Sequence, residues 1–141
     1  MNTTTNETKT DYLLLIRGSE WDEGLSPEQL QQVMGKAMAW FDGLFKSGRV
    51  KAGQPLGPEG KTVSGKNALV SDGPFAESKE AVGGYLLVQV ADEAEAVAIA
   101  KSSPMLEFGV TIEVRPVLQE CPVFQRARQK LNFGSLACSM S

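Results

Sequence analysis

The sequence predicts an α+β fold, because apolar strand-like segments alternate with two segments that carry helix-start signals. Four strands are expected, at residues 12–17, 49–54, 85–90 and 111–117. One helix is expected after Ser26 and a second after Asp92, and a small hairpin interrupts the middle of the chain. Strand, helix, strand, hairpin, strand, helix, strand is the order of a ferredoxin-like βαββαβ subunit with an inserted hairpin.

The first helix has the clearest local signature. Ser26 is a typical N-cap, Pro27 suits the first helical position, and Gln29 can complete a capping box. The apolar residues that follow are spaced by three and four, which predicts one buried stripe: Leu30, Val33, Met34, Ala37, Met38, Phe41, Leu44 and Phe45. Gly48 is expected to end the helix.

The remaining elements follow from turn and cap residues. Two short β-like pieces, Lys61–Ser64 and Asn67–Ser71, flank Gly65-Lys66 and predict the hairpin. Asp92 with Glu95 three residues later predicts the start of the second helix, and Pro104 limits how far it continues.

The predicted strands are apolar on both faces. In the first strand, Leu13 and Leu15 point one way, while Tyr12, Leu14 and Ile16 point the other. Two helices cover only one side of a sheet, so the other side is left as an exposed apolar surface, which indicates a partner. The simplest partner is a second copy facing the first, and we therefore expect a homodimer in the form of a dimeric α+β barrel.

The same alternation predicts a ligand cleft between the two sheets. If the helices cover the aliphatic faces, the residues that point into the inter-sheet space are Tyr85, Gln89, Glu113 and Arg115. Buried polar groups there must be paired or hydrated, as in a small-molecule site. Glu113 and Arg115 either form a salt bridge across the dimer, or Arg115 holds an anionic ligand.

Residues 72–80 form the second candidate site, because a rigid turn, an aromatic and several charges directly precede a core strand. Asp72 either fixes the Asp-Gly-Pro turn by accepting backbone N–H groups or acts as a partly buried general base beside Phe75. Phe75 is either a packing residue or a substrate platform. Glu77 and Lys79 are either a solvated pair or ligand contacts. Gly83-Gly84 predicts a bulge or a close backbone approach.

Composition restricts the function classes. The 141 residues suit one domain, covering residues 11–118 between a disordered tail (1–10) and a C-terminal tail (119–141) in which 123–131 is compatible with a short helix. A net charge of -3 with scattered Lys and Arg argues against nucleic-acid binding. The absence of a long apolar run or a secretion signal argues against a membrane and favours the cytoplasm.

The chain has no histidine, which excludes Ser-His-Asp and Cys-His catalysis and makes a zinc site improbable. Cys121 and Cys138 are expected to be free thiols. We therefore expect no metal and no cofactor.

Three motifs carry a family resemblance. They are Asp-Gly-Pro-Phe-Ala-Glu-Ser-Lys-Glu at 72–80, Gly-Gly-Tyr at 83–85 and Ile-Glu-Val-Arg-Pro-Val at 112–117. In this order and spacing they resemble the DGPF group of the YCII-related family, over about residues 11–118. The resemblance implies a ferredoxin-like subunit in a dimeric α+β barrel, and some relatives resemble decarboxylases, isomerases or dehalogenases.

The resemblance has one departure. In the wider family a histidine on the first helix and an aspartate after the second are the proposed catalytic pair. This chain carries Lys36 and Ser102-Ser103 in those regions.

Two functional hypotheses follow. The first is a non-catalytic binding or accessory dimer with a cleft for a small ligand, which the missing histidine, metal ligands and catalytic pair favour. The alternative is a cofactor-independent lyase or isomerase acting on a small anionic metabolite. Asp72 would then move a proton and Arg115 would hold the negative charge.

Overall fold

The computed structural model describes residues 9–18, 20–73 and 81–131. Its elements are β1 (Thr10–Arg17), α1 (Pro27–Lys46), β2 (Val50–Pro55), β3 (Lys61–Ser64), β4 (Leu69–Asp72), β5 (Val82–Val90), α2 (Glu93–Lys101), a 3₁₀ turn (Leu106–Phe108), β6 (Thr111–Pro116) and α3 (Pro122–Leu131). None of the helices in these ranges is both long and apolar enough to cross a membrane.

The strands form one four-stranded antiparallel sheet and a separate two-stranded hairpin. The sheet order is β2-β5-β1-β6, and β3 pairs only with β4. With the hairpin set aside, this is the strand order of a ferredoxin-like βαββαβ unit, as the sequence predicts. The central strand β1 places Leu13 opposite Leu87 on one side and opposite Arg115 on the other.

Both helix starts are capped by the expected residues. The Ser26 hydroxyl accepts the Gln29 N–H at 3.1 Å, and the Gln29 side chain accepts the Ser26 N–H at 2.9 Å. At α2, the Asp92 carboxylate accepts the Glu95 N–H, while the Glu95 carboxylate accepts the Ala91 N–H. The Ala91 N–H, together with the Arg49 guanidinium, holds the pKa of Glu95 below its usual 4.5.

The core lies between the sheet and both helices, on one face of the sheet. Leu14, Val88 and Val90 are the most completely buried large side chains. They pack with Leu44 of α1 and with the α2 residues Ala96, Ile99 and Ala100. A hydrogen bond links the two helices, since the indole N–H of Trp40 in α1 donates to the hydroxyl of Ser102, the C-cap of α2, at 2.6 Å.

A second cluster extends the core at the end of the sheet where β1 finishes. It consists of Val33, Ala37, Met105 and Val110, with partly buried aromatics packed around it. Trp21 lies here against Phe108, with ring centroids 6.2 Å apart. The loop between β1 and α1 is thereby held on the helix-covered side.

The prediction of one buried stripe along α1 is correct only in part. Val33, Ala37 and Leu44 are buried, but Met34, Met38 and Phe45 are 43%, 68% and 50% exposed. The eight apolar residues span more of the helix circumference than the contact with the sheet can cover. Part of α1 is therefore an exposed apolar surface.

Gly83-Gly84 has both of its predicted roles. The β1–β5 register shifts between Ile16, opposite Gly84, and Arg17, opposite Val82, so Gly83 is the extra residue of a bulge. A Cβ on Gly84 would lie 3.2 Å from the Gln54 carbonyl oxygen, so the glycine permits close approach of β2.

Ser26→Ala should lower the free energy of unfolding by about 1 kcal/mol, because it removes the side-chain acceptor of the α1 capping box. Urea unfolding followed by circular dichroism measures the change. Ser64→Ala, at the exposed end of β3, is the control and should stay within about 0.5 kcal/mol of the unsubstituted protein. Equal losses in the two variants would contradict a specific role for the cap.

Candidate ligand-binding and interaction site

The sheet face opposite the helices, called here the open face, carries a continuous apolar strip. Its four members are half-buried side chains of the two central strands: Leu13, Leu15, Tyr85 and Leu87. Leu13 is directly opposite Leu87, and Leu15 is directly opposite Tyr85. We call this group the central strip. Cross-strand pairs of this kind stabilise the sheet and also leave an apolar surface exposed.

A charged cluster borders the central strip on the β6 side. The Glu113 carboxylate accepts hydrogen bonds from Arg17, at 2.7 and 3.2 Å, and from Arg115, at 3.0 Å. The hydrogen bonds from Arg17 and then from Arg115 hold the pKa of Glu113 below its usual 4.5. At neutral pH, Glu113 is therefore ionised and accepts hydrogen bonds from both arginines.

A second polar cluster lies at the other end of the open face. The Asp11 carboxylate accepts a hydrogen bond from Lys51 at 3.0 Å and one from the Gln89 amide at 3.3 Å. These three side chains come from β1, β2 and β5, so the cluster crosses three adjacent strands. Charged groups on the open face thus have partners already within one subunit.

The structure places four predicted ligand-binding residues on one surface. Tyr85 belongs to the central strip, Gln89 to the Asp11 cluster, and Glu113 and Arg115 to the β6 side. The Arg115 side chain is 64% exposed, and its guanidinium contacts Glu113 of the same subunit. Tyr85 and Glu113 flank Leu15 in one cross-strand row, Arg115 lies opposite Leu13 in the next row, and Gln89 lies one row further, opposite Asp11.

Asp72 lies elsewhere, at the end of β4 in the separate hairpin. Its carboxylate forms an ion pair with Lys61, and its side chain is 69% exposed. The partial burial expected for a general base is therefore not present, because the hairpin extends away from the packed core. The enzymatic hypothesis needs Asp72 and Arg115 at one site, but the ion pairs described for them are with Lys61 and with Glu113. Phe75, Glu77 and Lys79 lie outside the described residues.

Residue patterns alone missed two features. Arg17 and Lys51 were not expected at the site, although the strand alternation that selected Glu113 also places Arg17 on the open face. The second feature is a cavity of about 350 Å³ on the helix-covered side, whose lining includes Ile16, Phe41, Phe45, Leu86 and Met105. In the sequence, this cavity is indicated only by glycines at strand positions that face the helices.

The described part of the chain contains no group of three or more His, Cys, Asp or Glu side chains placed to hold a metal ion. Cys121 is a half-buried cysteine, and Cys138 lies outside the described residues. The polar groups available on the open face are suited to binding carboxylates or hydrogen-bonding groups.

The fold and site define a small α+β module in which α1 and α2 pack on one face of a four-stranded sheet. A model of the YCII-related domain matches residues 10–120, and the chain belongs to this family. No protein with a curated function matches the sequence.

Among solved structures, the chain is similar to 5-chloro-2-hydroxyhydroquinone dehydrochlorinase from Burkholderia phenoliruptrix AC1100, solved with 2,5-dihydroxybenzoquinone. The identity is 14%, and the similarity covers 77% of this chain and 94% of that chain, with a TM-score of 0.42. Similarity at this level bears on neither substrate nor mechanism.

The Glu113 cluster should contribute a pH-dependent part of the stability. Because its pKa is lowered in the folded state, folded Glu113 binds fewer protons than unfolded Glu113. Its contribution is present above pH 4.5 and is lost as the pH falls through the lowered value. In urea unfolding series from neutral to acid pH, the stability difference between the unsubstituted protein and Glu113→Gln should therefore shrink below pH 4.5. Arg17→Met should reduce the same pH dependence. A difference that stays constant across the series would contradict this account.

Proposed function

We propose that the protein is a homodimeric binding module, in which the open faces of two copies meet and enclose a small-ligand cleft. The central strip is the observation that supports this most directly. Four half-buried apolar side chains lie together on the sheet face opposite α1 and α2. Burial of such a surface against its own copy is the simplest way to remove it from water.

The charged clusters support a closed two-fold interface. Charges that are buried without partners are costly, whereas Glu113 and Asp11 already have theirs within the subunit. Two open faces could therefore approach without leaving either carboxylate unpaired. A two-fold axis presents the same patch on both copies, so the strip of one subunit meets the strip of the other.

Arg115 is the residue best suited to bind an anionic ligand in this cleft. Its side chain is largely exposed within the subunit, and its guanidinium can pair with a carboxylate through two parallel hydrogen bonds. Glu113 would keep both hydrogen bonds from Arg17 if Arg115 turned to a ligand. Tyr85 and Gln89 would line the same inter-sheet space.

The enzymatic alternative stays a prediction of the sequence. Within the described residues, the exposed Asp72–Lys61 pair lies on the hairpin, while Arg115 lies on β6. A proton-transferring Asp72 would have to reach the ligand from the hairpin. We therefore favour binding over catalysis.

The unsubstituted protein should have twice the 15.2 kDa mass of the chain in size-exclusion chromatography with light scattering. Leu87→Asp should shift it to the monomer mass, because the new carboxylate would lie between Leu13 and Ala52 and be buried without a partner in the central strip. Met38→Asp is the matched control, since it places the same charge on an exposed apolar position of α1, and it should remain dimeric. Circular dichroism would verify that both variants fold. A monomeric unsubstituted protein would contradict the proposed assembly.

Ligand binding is tested by thermal-shift titration with oxalate, succinate and benzoate. At least one should raise the melting temperature of the unsubstituted protein. Arg115→Gln should abolish that rise, because it removes the guanidinium group that would bind the ligand's carboxylate. Arg126→Gln, on the exposed face of α3, is the control and should retain it. Asp72→Asn should also retain the rise, and loss of the rise in Asp72→Asn would instead favour the enzymatic alternative. A rise unaffected by Arg115→Gln would contradict the assigned role of Arg115.

A further inference from the structure

The cavity on the helix-covered side is a second candidate site, separated from the open face by the sheet itself. It has a volume of about 350 Å³ and lies between α1 and the edge of the sheet formed by β2 and β5. Phe41 and Phe45 line it from the helix, Ile16 and Leu86 from the sheet, and Met105 from the segment after α2. It belongs to a single subunit, so its existence does not depend on dimerisation.

Two glycines explain why the core does not fill this space. Gly53 pairs with Leu86 and Gly84 precedes Leu86 by two, so both occupy positions that face the helices. A Cβ at Gly53 would lie 2.6 Å from the Leu86 side chain, and one at Gly84 would lie 3.2 Å from the Gln54 carbonyl oxygen. Neither position readily accepts a side chain, so the sheet supplies a floor of bare backbone beneath α1.

The lining restricts the chemistry of a ligand. None of the described residues around the cavity is charged. Gln54 and Tyr85 are directly paired and point to the open face, so at these two positions the backbone borders the cavity. Water needs several polar partners to be held in a cavity, and an apolar cavity of about 150 Å³ is already large enough to bind benzene. Phe41 and Phe45 are four residues apart and lie on the same face of α1, where their rings can contact a planar molecule.

We infer that this cavity binds a compact, uncharged molecule with an aromatic or similar flat ring. The inference goes beyond the proposed function, because it concerns a different site and a different ligand class from the anion cleft between the sheets. An uncharged ring gains from burial against Phe41, Phe45 and Leu86, whereas an ionised group would lose its hydration without a charged partner.

The test compares p-cresol with 4-hydroxybenzoate, in which a carboxylate replaces the methyl group of the same ring. Titration calorimetry and saturation-transfer NMR on the full chain should detect p-cresol binding. The affinity for 4-hydroxybenzoate should be at least about tenfold lower, because of the cost of desolvating its charge.

Phe45→Glu should weaken p-cresol binding by a similar factor of about ten, by placing a charge at the cavity wall. Phe45 is half exposed, so this substitution is compatible with folding. Met38→Glu is the matched control. Met38 lies two turns earlier on α1, is more exposed and is not part of the lining, so its substitution should change the affinity by less than a factor of about two.

Three results would overturn the inference. One is equal binding of p-cresol and 4-hydroxybenzoate, and another is equal weakening by the two α1 substitutions. The third is the absence of p-cresol binding to the unsubstituted protein. Leu87→Asp separates this inference from the proposed function, because a monomeric variant should still bind p-cresol.

Discussion

Each central strand of the sheet carries apolar side chains on both faces, whereas the two packed helices lie on only one. Burial of Leu14, Leu86 and Val88 under α1 and α2 holds the subunit together. The same alternation directs Leu13, Leu15 and Leu87 outward. The alternation that makes the strands strong core elements therefore also creates the half-buried apolar surface of the open face.

The charged residues of the open face lie around the central strip. Glu113 is paired with Arg17 of the adjacent strand β1, and Asp11 is paired with Lys51 of β2, two strands away, so the central strip is bordered by paired charges. Such borders fix the orientation of an interface more than they strengthen it. On the β6 side, Arg115 lies on the surface beside the Glu113 carboxylate. That carboxylate also pairs with Arg17.

Local rules were sufficient for most of the fold. The α1 capping box and the Gly83 bulge each depend on a few neighbouring residues, and the strand order follows from the βαββαβ order of elements; each is as the sequence predicts. The extent of burial along α1 was mispredicted because it depends on how far the helix overlaps the sheet. Partner choice in the Glu113 cluster and the cavity above Gly53 and Gly84 depend on cross-strand register and interlayer distance, which periodicity does not specify.

Contact between the central strips of two subunits can be observed directly by isotope-filtered NMR on a mixture of labelled and unlabelled protein. The account predicts intermolecular cross-peaks from the leucine methyl groups of residues 13, 15 and 87. Methyl groups on the helix side, such as those of Leu14, should give intramolecular peaks alone. Open-face methyl groups that show contacts only within their own subunit, and that are broadened by a soluble paramagnetic agent, would contradict the account.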